Sequence, residues 1–552
     1  MESDAMSRPN CLVPDLPVWA LDNPYLQALK PRFFARPAEG VWGEIPKRVQ
    51  RLFVEVERRY TSTDRAEALG ETLRALVHDG AFFPNSPAMM NSEQESRVNL
   101  FACHVLSPPI ETGGFEVART IHDGCGGIGY DLTALEDPVS LTEVIERETT
   151  ALNPGRKRKA HSAVTVDALH PRCDAFIELA GRLSVTHTNV ELTDAFFALL
   201  AAGDDEAVRR WGTICDSIAA TGTPSIAFAG QKAARSPNGE RLVLNLCGET
   251  PLRENESSLV GTLNLARFVS SGHFDVARFI RAARIGVRCL DNMHDLQRHA
   301  SPIVAERCAQ GRKIGLGVMG YADALLELGI RYGSEDALAF ARTVMGRLSQ
   351  VAYAESEALA RERGSCDPSL QGGDGRPPRR NAALLAIAAN GTLGLLANVT
   401  GGMEPMFGLY TRQMVEDAEA TCQLQPSLAR ALRAAGFDED GVVRVAELLA
   451  AGMSLGDIDG VPERIRNTAV CAHELAFQAH IRTQATFQAF MDGGISKTIN
   501  LPRSSTAADV ATAVLTARDE GCIGISLYRD GSVVGQPSQA LGADQAVGAV
   551  TA

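Results

Sequence analysis

Short apolar runs separated by helical stretches constrain this chain most. The runs Ser225–Ala229, Lys313–Val318, Leu384–Ala388 and Cys522–Leu527 have strand length, and the segments between them carry helical spacing. Strands alternating with helices pair in parallel through crossover connections, which puts the chain in the α/β class. The clearest helix is Ser334–Arg363. Ser334 and Glu335 suit its start, and Leu338, Ala341, Met345, Leu348, Ala352 and Leu359 follow three- and four-residue steps. Gly364 suits its end. Val49–Tyr60 and Arg65–Val77 have the same spacing, so residues 1–80 are expected to form an N-terminal helical region. Residues 81–532 then form the catalytic body. Pro368–Asn381, rich in Gly, Pro and Arg, reads as a loop, and 533–552, of low complexity, as a flexible tail. There is no internal repeat.

Charge and cysteine usage narrow the function. With 45% hydrophobic residues the chain has ample material for a core. A net charge of −13 argues against nucleic-acid polymers as partners, while leaving room for a mononucleotide at a local anion site. The 12 cysteines include no C-x-x-C pair, so neither a zinc site nor a thioredoxin-type motif is expected, and the metal expectation is none. The start MESDAMSRPN has no apolar signal core, and the apolar stretch Ala382–Val399 is broken by Asn390, Gly391 and Gly394. A cytoplasmic protein without a membrane span is the expectation.

The chemistry concentrates in Leu242–Leu252, LVLNLCGETPL. In an extended segment alternate side chains share a face, so Asn245, Cys247 and Glu249 point the same way. A carboxylate there can take a proton from a hydroxyl, an amide can orient it, and a thiol can act as nucleophile or hydrogen-atom carrier. Alone, the pattern is weak and reads first as a buried cysteine in a loop beside a surface glutamate.

It does not stand alone. FPNSPAMMN (Phe83–Asn91) and FACHVL (Phe101–Leu106) precede it. RKIGLGVMG (Arg312–Gly320), GTLG and GGMEPMF within Asn381–Phe407, SKTINLP (Ser496–Pro502) and GCIGISLYRDGS (Gly521–Ser532) follow. In this order they resemble the landmarks of class II ribonucleotide reductases, the adenosylcobalamin-dependent branch, over about residues 20–532. The resemblance implies a ten-stranded α/β barrel whose inner finger loop carries a radical cysteine, here Cys247. It implies that Cys247 removes the 3′ hydrogen of a ribonucleotide. Glu249 takes the 3′-hydroxyl proton, Asn245 hydrogen-bonds the sugar, and Cys103 protonates the departing 2′-hydroxyl. Ser86, Gly391 and Thr392 match substrate-binding positions, the last two in a phosphate loop where Ala389-Asn390 replaces the family's usual Pro-Thr. Adenosylcobalamin as cofactor, a nucleotide effector and a homodimer belong to the same implication.

The chain departs from the family at one redox position. A cysteine normally lies eleven residues after the radical cysteine, and here that residue is Ser258. Nor does the tail after Cys522 hold the family's C-terminal cysteine pair. Reduction by an external donor such as formate, redox-neutral ribose chemistry (epimerisation, dehydration or rearrangement) and a non-catalytic nucleotide-binding relative stay open. Cys125, in DGCGGIG, is a candidate substitute thiol or a small residue in a glycine turn. GRKRKAH (Gly155–His161) is a candidate phosphate contact or a solvated basic loop. His104 is expected to be a packed or surface residue rather than a catalyst, and His187 to sit in a specificity loop over Arg182–Asn189.

Overall fold

The computed structural model describes residues 17, 20, 23–36, 40–92, 99–110, 114–236, 239–367, 370, 377–413, 421–532 and 538–540. The expected tail lies outside these residues except for Ser538–Ala540, which pairs with Tyr410–Gln413. Most of the expected loop at Pro368–Asn381 also lies outside them.

Five strands, Cys103–Val105, Gly127–Asp131, Ser162–Asp167, Thr186–Leu192 and Ser225–Phe228, pair in parallel in chain order. A second parallel set runs from Ser257–Asn264 to Ile314–Met319, and from Thr498–Leu501 to Gly524–Arg529. The two sets meet antiparallel at both edges, Cys103 opposite Ser258 and Gly524 opposite Ala227. Leu384–Ala388 fills the gap between Ile314–Met319 and the approach to Thr498–Leu501 and so closes a ten-membered α/β barrel. It does so through single bridges, Leu316 to Leu385 and Ile387 to Ile495, rather than as the regular strand expected. The glycines of the neighbouring strand let it in: a methyl at Gly317 would lie 2.3 Å from the Ala386 carbonyl oxygen.

Burial on both faces suits parallel strands. Ser257–Asn264 is buried throughout. Its Leu259 and Leu263 belong to the main core, and Gly261 abuts Leu290 of the helix Val276–His294. Period-two alternation then turns Ser258, Val260, Thr262 and Asn264 into the barrel.

Helices Leu26–Phe33, Glu44–Glu57 and Thr63–His78 make up the N-terminal region. Their buried residues share one core with the barrel. The long helix runs Glu335–Arg363; Ser334 caps it by accepting from the Ala337 N–H at 3.2 Å, and Gly364 follows at φ 82°. Among the described residues no helix is long and apolar enough to cross a membrane.

Candidate active site

The central loop is a hairpin held inside the barrel. Val243–Leu244 pairs antiparallel with Pro251–Leu252, and residues 245–250 form the tip. Its base is clamped by charge: Lys232 donates to the Leu242 carbonyl at 2.9 Å and pairs with buried Glu191, while Arg241 pairs with Asp131 and Glu191. The tip is folded tightly, with the Thr250 N–H on Asn245 Oδ1 at 2.9 Å and the Gly248 N–H on the Asn245 carbonyl at 3.1 Å. Gly248 has φ 78°, a conformation a side chain would strain. Glycines also line the wall the tip passes. A methyl at Gly129 would lie 2.1 Å from the Leu244 carbonyl oxygen, and one at Gly493 would lie 2.6 Å from that of Glu249. The Gly494 N–H donates to the Glu249 carbonyl at 2.7 Å.

This loop brings Glu249 to Cys103 on the barrel wall, whose thiol donates to Glu249 Oε1 at 3.2 Å. Glu249 Oε2 and Asn245 Nδ2 are buried and complete no hydrogen bond of good geometry, although the two side chains lie against each other. Such atoms cost free energy unless a ligand satisfies them. Burial pushes the Glu249 carboxyl up, and burial with the nearby Glu249 and Cys247 pushes Cys103 far up. Burial pushes Cys247 up to about 12. Both sulfurs are therefore protonated thiols at neutral pH, which suits carriers of hydrogen rather than thiolate nucleophiles.

Cys247 is exposed yet flanked by protein, because it faces a half-open cavity of about 350 Å³. Arg158, His161, His187, Asn189, Ser225 and Ser526 also line this cavity. Burial lowers His161 to about 4 and lowers His187, so both rings are neutral. These residues lie far apart in sequence; the basic run 155–161, the segment 182–189 with His187 and the motif at 521–532 each hinted at part of the wall, and nothing in the sequence joined them. Within that run Arg158 turns to the cavity, whereas Arg156 pairs with Asp123 and Lys157 donates to the Phe34 carbonyl. The expected specificity loop needs correction. Residues 186–189 belong to a barrel strand, so His187 sits on the barrel wall facing the cavity of Cys247.

Ser258 lies directly across the strand pair from Cys103, where a second thiol would complete a dithiol. Its hydroxyl donates instead to the Lys313 carbonyl at 3.2 Å. Ser86 is buried at the start of helix Ser86–Asn91, which Asn85 caps at 2.9 Å. Gly391 opens the short helix Gly391–Ala397, and the Thr392 hydroxyl accepts from Arg32 at 2.8 Å. The segments before them meet the same barrel strand: the Asn85 N–H donates to the Val260 carbonyl at 3.0 Å, and Asn390 Nδ2 to Thr262 Oγ1 at 3.3 Å.

Cys125 sits at φ 67° in the turn before Gly127–Asp131, among Arg156, Lys157 and Arg158; the thiol beside Cys103 is Cys247. His104 is packed against Ser257, with 2.6 Å between its Nδ1 and the hydroxyl. Lys497 of SKTINLP pairs with Glu404 of GGMEPMF, joining two motifs across the fold. No group of three or more His, Cys, Asp or Glu that could hold a metal ion occurs among the described residues.

Comparison with known proteins agrees with this geometry. The family model described as "Ribonucleotide reductase, barrel domain" matches residues 203–369 and 376–528. A vitamin B12-dependent ribonucleoside-diphosphate reductase of Mycobacterium tuberculosis is 32% identical over 91% of this chain and 77% of its own length. One of the same description from Thermoplasma acidophilum is 30% identical over 82% of this chain and 64% of its own. In fold the chain is similar to the class Id ribonucleotide reductase alpha subunit of Actinobacillus ureae, with a TM-score of 0.74 at 17% identity, over 93% of this chain and 98% of that one. A barrel that encloses a cysteine-bearing hairpin thus coincides with a family match over more than half the sequence: the chain belongs to the ribonucleotide reductase family, in its vitamin B12-dependent branch.

Proposed function

We propose that this protein removes the 2′-hydroxyl of a ribonucleotide, with adenosylcobalamin as cofactor and Cys247 as hydrogen carrier. The observation that carries the reading is the Cys103–Glu249 contact beside Cys247, with Glu249 Oε2 and Asn245 Nδ2 left to meet a ligand.

The cavity at Cys247 suits the nucleoside arm of the cofactor. Its volume falls in the roughly 300–1,000 Å³ range of small-molecule sites. Its wall includes neutral His161, whose Nδ1 is buried without a partner. His161, His187, Asn189 and Ser526 would hold that arm. When bound, the cofactor supplies a hydrogen-atom acceptor by homolysis of its cobalt–carbon bond.

The chain's own residues do the rest. Cys247 gives up its hydrogen atom and takes one from the 3′ carbon. Glu249 receives the 3′-hydroxyl proton, and the Asn245 amide fixes that hydroxyl. Cys103 delivers a proton to the departing 2′-hydroxyl. Ser86, Gly391 and Thr392 hold phosphate. The relatives' names suggest a diphosphate substrate.

Ser258 opposite Cys103 favours one second reading, redox-neutral ribose chemistry in which Cys247 returns the hydrogen. A dark, anaerobic incubation with adenosylcobalamin and ribonucleoside mono-, di- and triphosphates tests both. Formate and dithiothreitol are each added to or withheld from parallel samples, and products are dephosphorylated and weighed. A nucleoside lighter by one oxygen supports reduction. A same-mass isomer or loss of water supports the second reading, and no product refutes both. A homodimer and a nucleotide effector complete the reading; sedimentation with and without deoxynucleotides tests them.

A further inference from the structure

Deoxygenation consumes two electrons, and Ser258 cannot supply one. Cys103 has no sulfur opposite it on the barrel wall. A second cavity, of about 380 Å³, opens where that sulfur would be. It shares no lining residue with the cavity at Cys247. Thr250, Ser258, Lys313, Tyr353, Ala383 and Gly493 are among its walls. Two of these walls flank Cys103. Ser258 faces it across the strand pair, and Thr250 lies against its thiol. The Thr250 hydroxyl is buried and completes no hydrogen bond of good geometry, so a polar group is owed to it from the cavity side.

We propose that this second cavity admits a low-molecular-weight thiol, which supplies the sulfur that Ser258 lacks and forms a mixed disulfide with Cys103. The inference rests on the reductase reading above. The C2′–OH bond breaks and a C2′–H bond forms. The Cys103 thiol and the incoming thiol lose their hydrogens, their sulfurs join, and water leaves. Each sulfur is oxidised by one electron and C2′ is reduced by two. A second molecule of the thiol then attacks the mixed disulfide, restores the Cys103 thiol and departs as a disulfide. The 3.2 Å contact with Glu249 holds Cys103 at the substrate side, and its neighbours Ser258 and Thr250 are the residues that meet the cavity.

The test uses the full chain with adenosylcobalamin and the nucleotide that the panel above identifies. Glutathione, 2-mercaptoethanol, formate or no reductant is added. The expected result is deoxynucleotide with either thiol and none with formate. A quenched reaction should carry one glutathionyl group, mapped by peptide mass spectrometry to Cys103. Ala383→Leu should raise the KM for glutathione about tenfold and leave that for the nucleotide unchanged. Ser258→Cys should give one equivalent of product with no thiol added. Formate-driven turnover, glutathionylation confined to another cysteine, or an Ala383→Leu effect on the nucleotide KM alone would each overturn the inference. Entry of solvent hydrogen into the cofactor's 5′ carbon needs Cys247 but no reductant. If that exchange occurs without thiol-dependent turnover, only this inference fails; if it is absent, the reductase reading fails with it.

Discussion

Gly129 sets the position of the hairpin, and Gly129→Ala should displace it. The added methyl would lie 2.1 Å from the Leu244 carbonyl oxygen and 3.1 Å from the Asn245 Cα. Non-bonded carbon and oxygen atoms keep about 3 Å or more, so the hairpin must retreat by roughly 1 Å. It cannot swing freely, because Gly494 holds the Glu249 carbonyl at 2.7 Å and Lys232 holds that of Leu242 at 2.9 Å. The strain should cost about 1–3 kcal/mol of stability. Misplacing reacting groups by about 1 Å should cost on the order of 100-fold in kcat. Denaturant titration and steady-state kinetics read the two effects. Gly212→Ala is the control: it lies in the helix Asp205–Thr221 with no atom near its added methyl, and should gain up to about 1 kcal/mol with kcat unchanged. Wild-type kcat in Gly129→Ala would refute the claim that this wall positions Asn245, Cys247 and Glu249.

Glu249 must be ionised to accept a proton, and burial raises its carboxyl. The rate should therefore climb with pH through a midpoint above the usual carboxylate value of about 4.3, and Glu249→Gln should abolish that limb together with turnover. Asp291 is fully buried between Arg312 at 2.9 Å and Arg363 at 3.0 Å. Asp291→Asn would remove the buried carboxylate these guanidiniums share, leaving Arg312 to Asp295 and Arg363 to Glu57, and should cost about 3 kcal/mol in chemical denaturation. Burial opposes the charge of Asp291, but Arg312, Arg380 and Arg363 outweigh it and hold its carboxyl below the usual range. Its contribution is thus present above the unfolded value of about 3.9 and lost as pH falls toward the depressed one. Urea titrations from pH 6 down to pH 3 should show that loss in the native chain and a smaller one in Asp291→Asn.

The site was legible where chemistry repeats at a fixed spacing. Asn245, Cys247 and Glu249 are expected on one face of an extended run; they do share one short segment, but a tight glycine-containing turn gathers them. The relation of Cys103 to Ser258 was readable only through the family's order of motifs, since strand register links residues 155 positions apart. The cavity wall was not legible. Its residues come from separate segments that converge only after closure, and although the basic run, His187, SKTINLP and GCIGISLYRDGS each stand out, nothing in the sequence places them in one wall. Leu384–Ala388 read as a strand because it is apolar, and it occupies a strand's place. Glycines on its neighbour bring it too close for a regular ladder, and pattern alone does not encode that. His187 went astray for the opposite reason: polar residues on an inward barrel face look like a loop until the strand is paired.

Hydrogen exchange between solvent and the cofactor tests the role of Cys247 most directly. The native chain is incubated anaerobically in deuterated water with adenosylcobalamin and nucleotide but no reductant. Deuterium at the cofactor's 5′ carbon is then read by mass spectrometry. The expected result is deuterium uptake in the native chain and in Cys103→Ala, and none in Cys247→Ala. Uptake that survives Cys247→Ala would contradict the assignment of Cys247 as the hydrogen carrier.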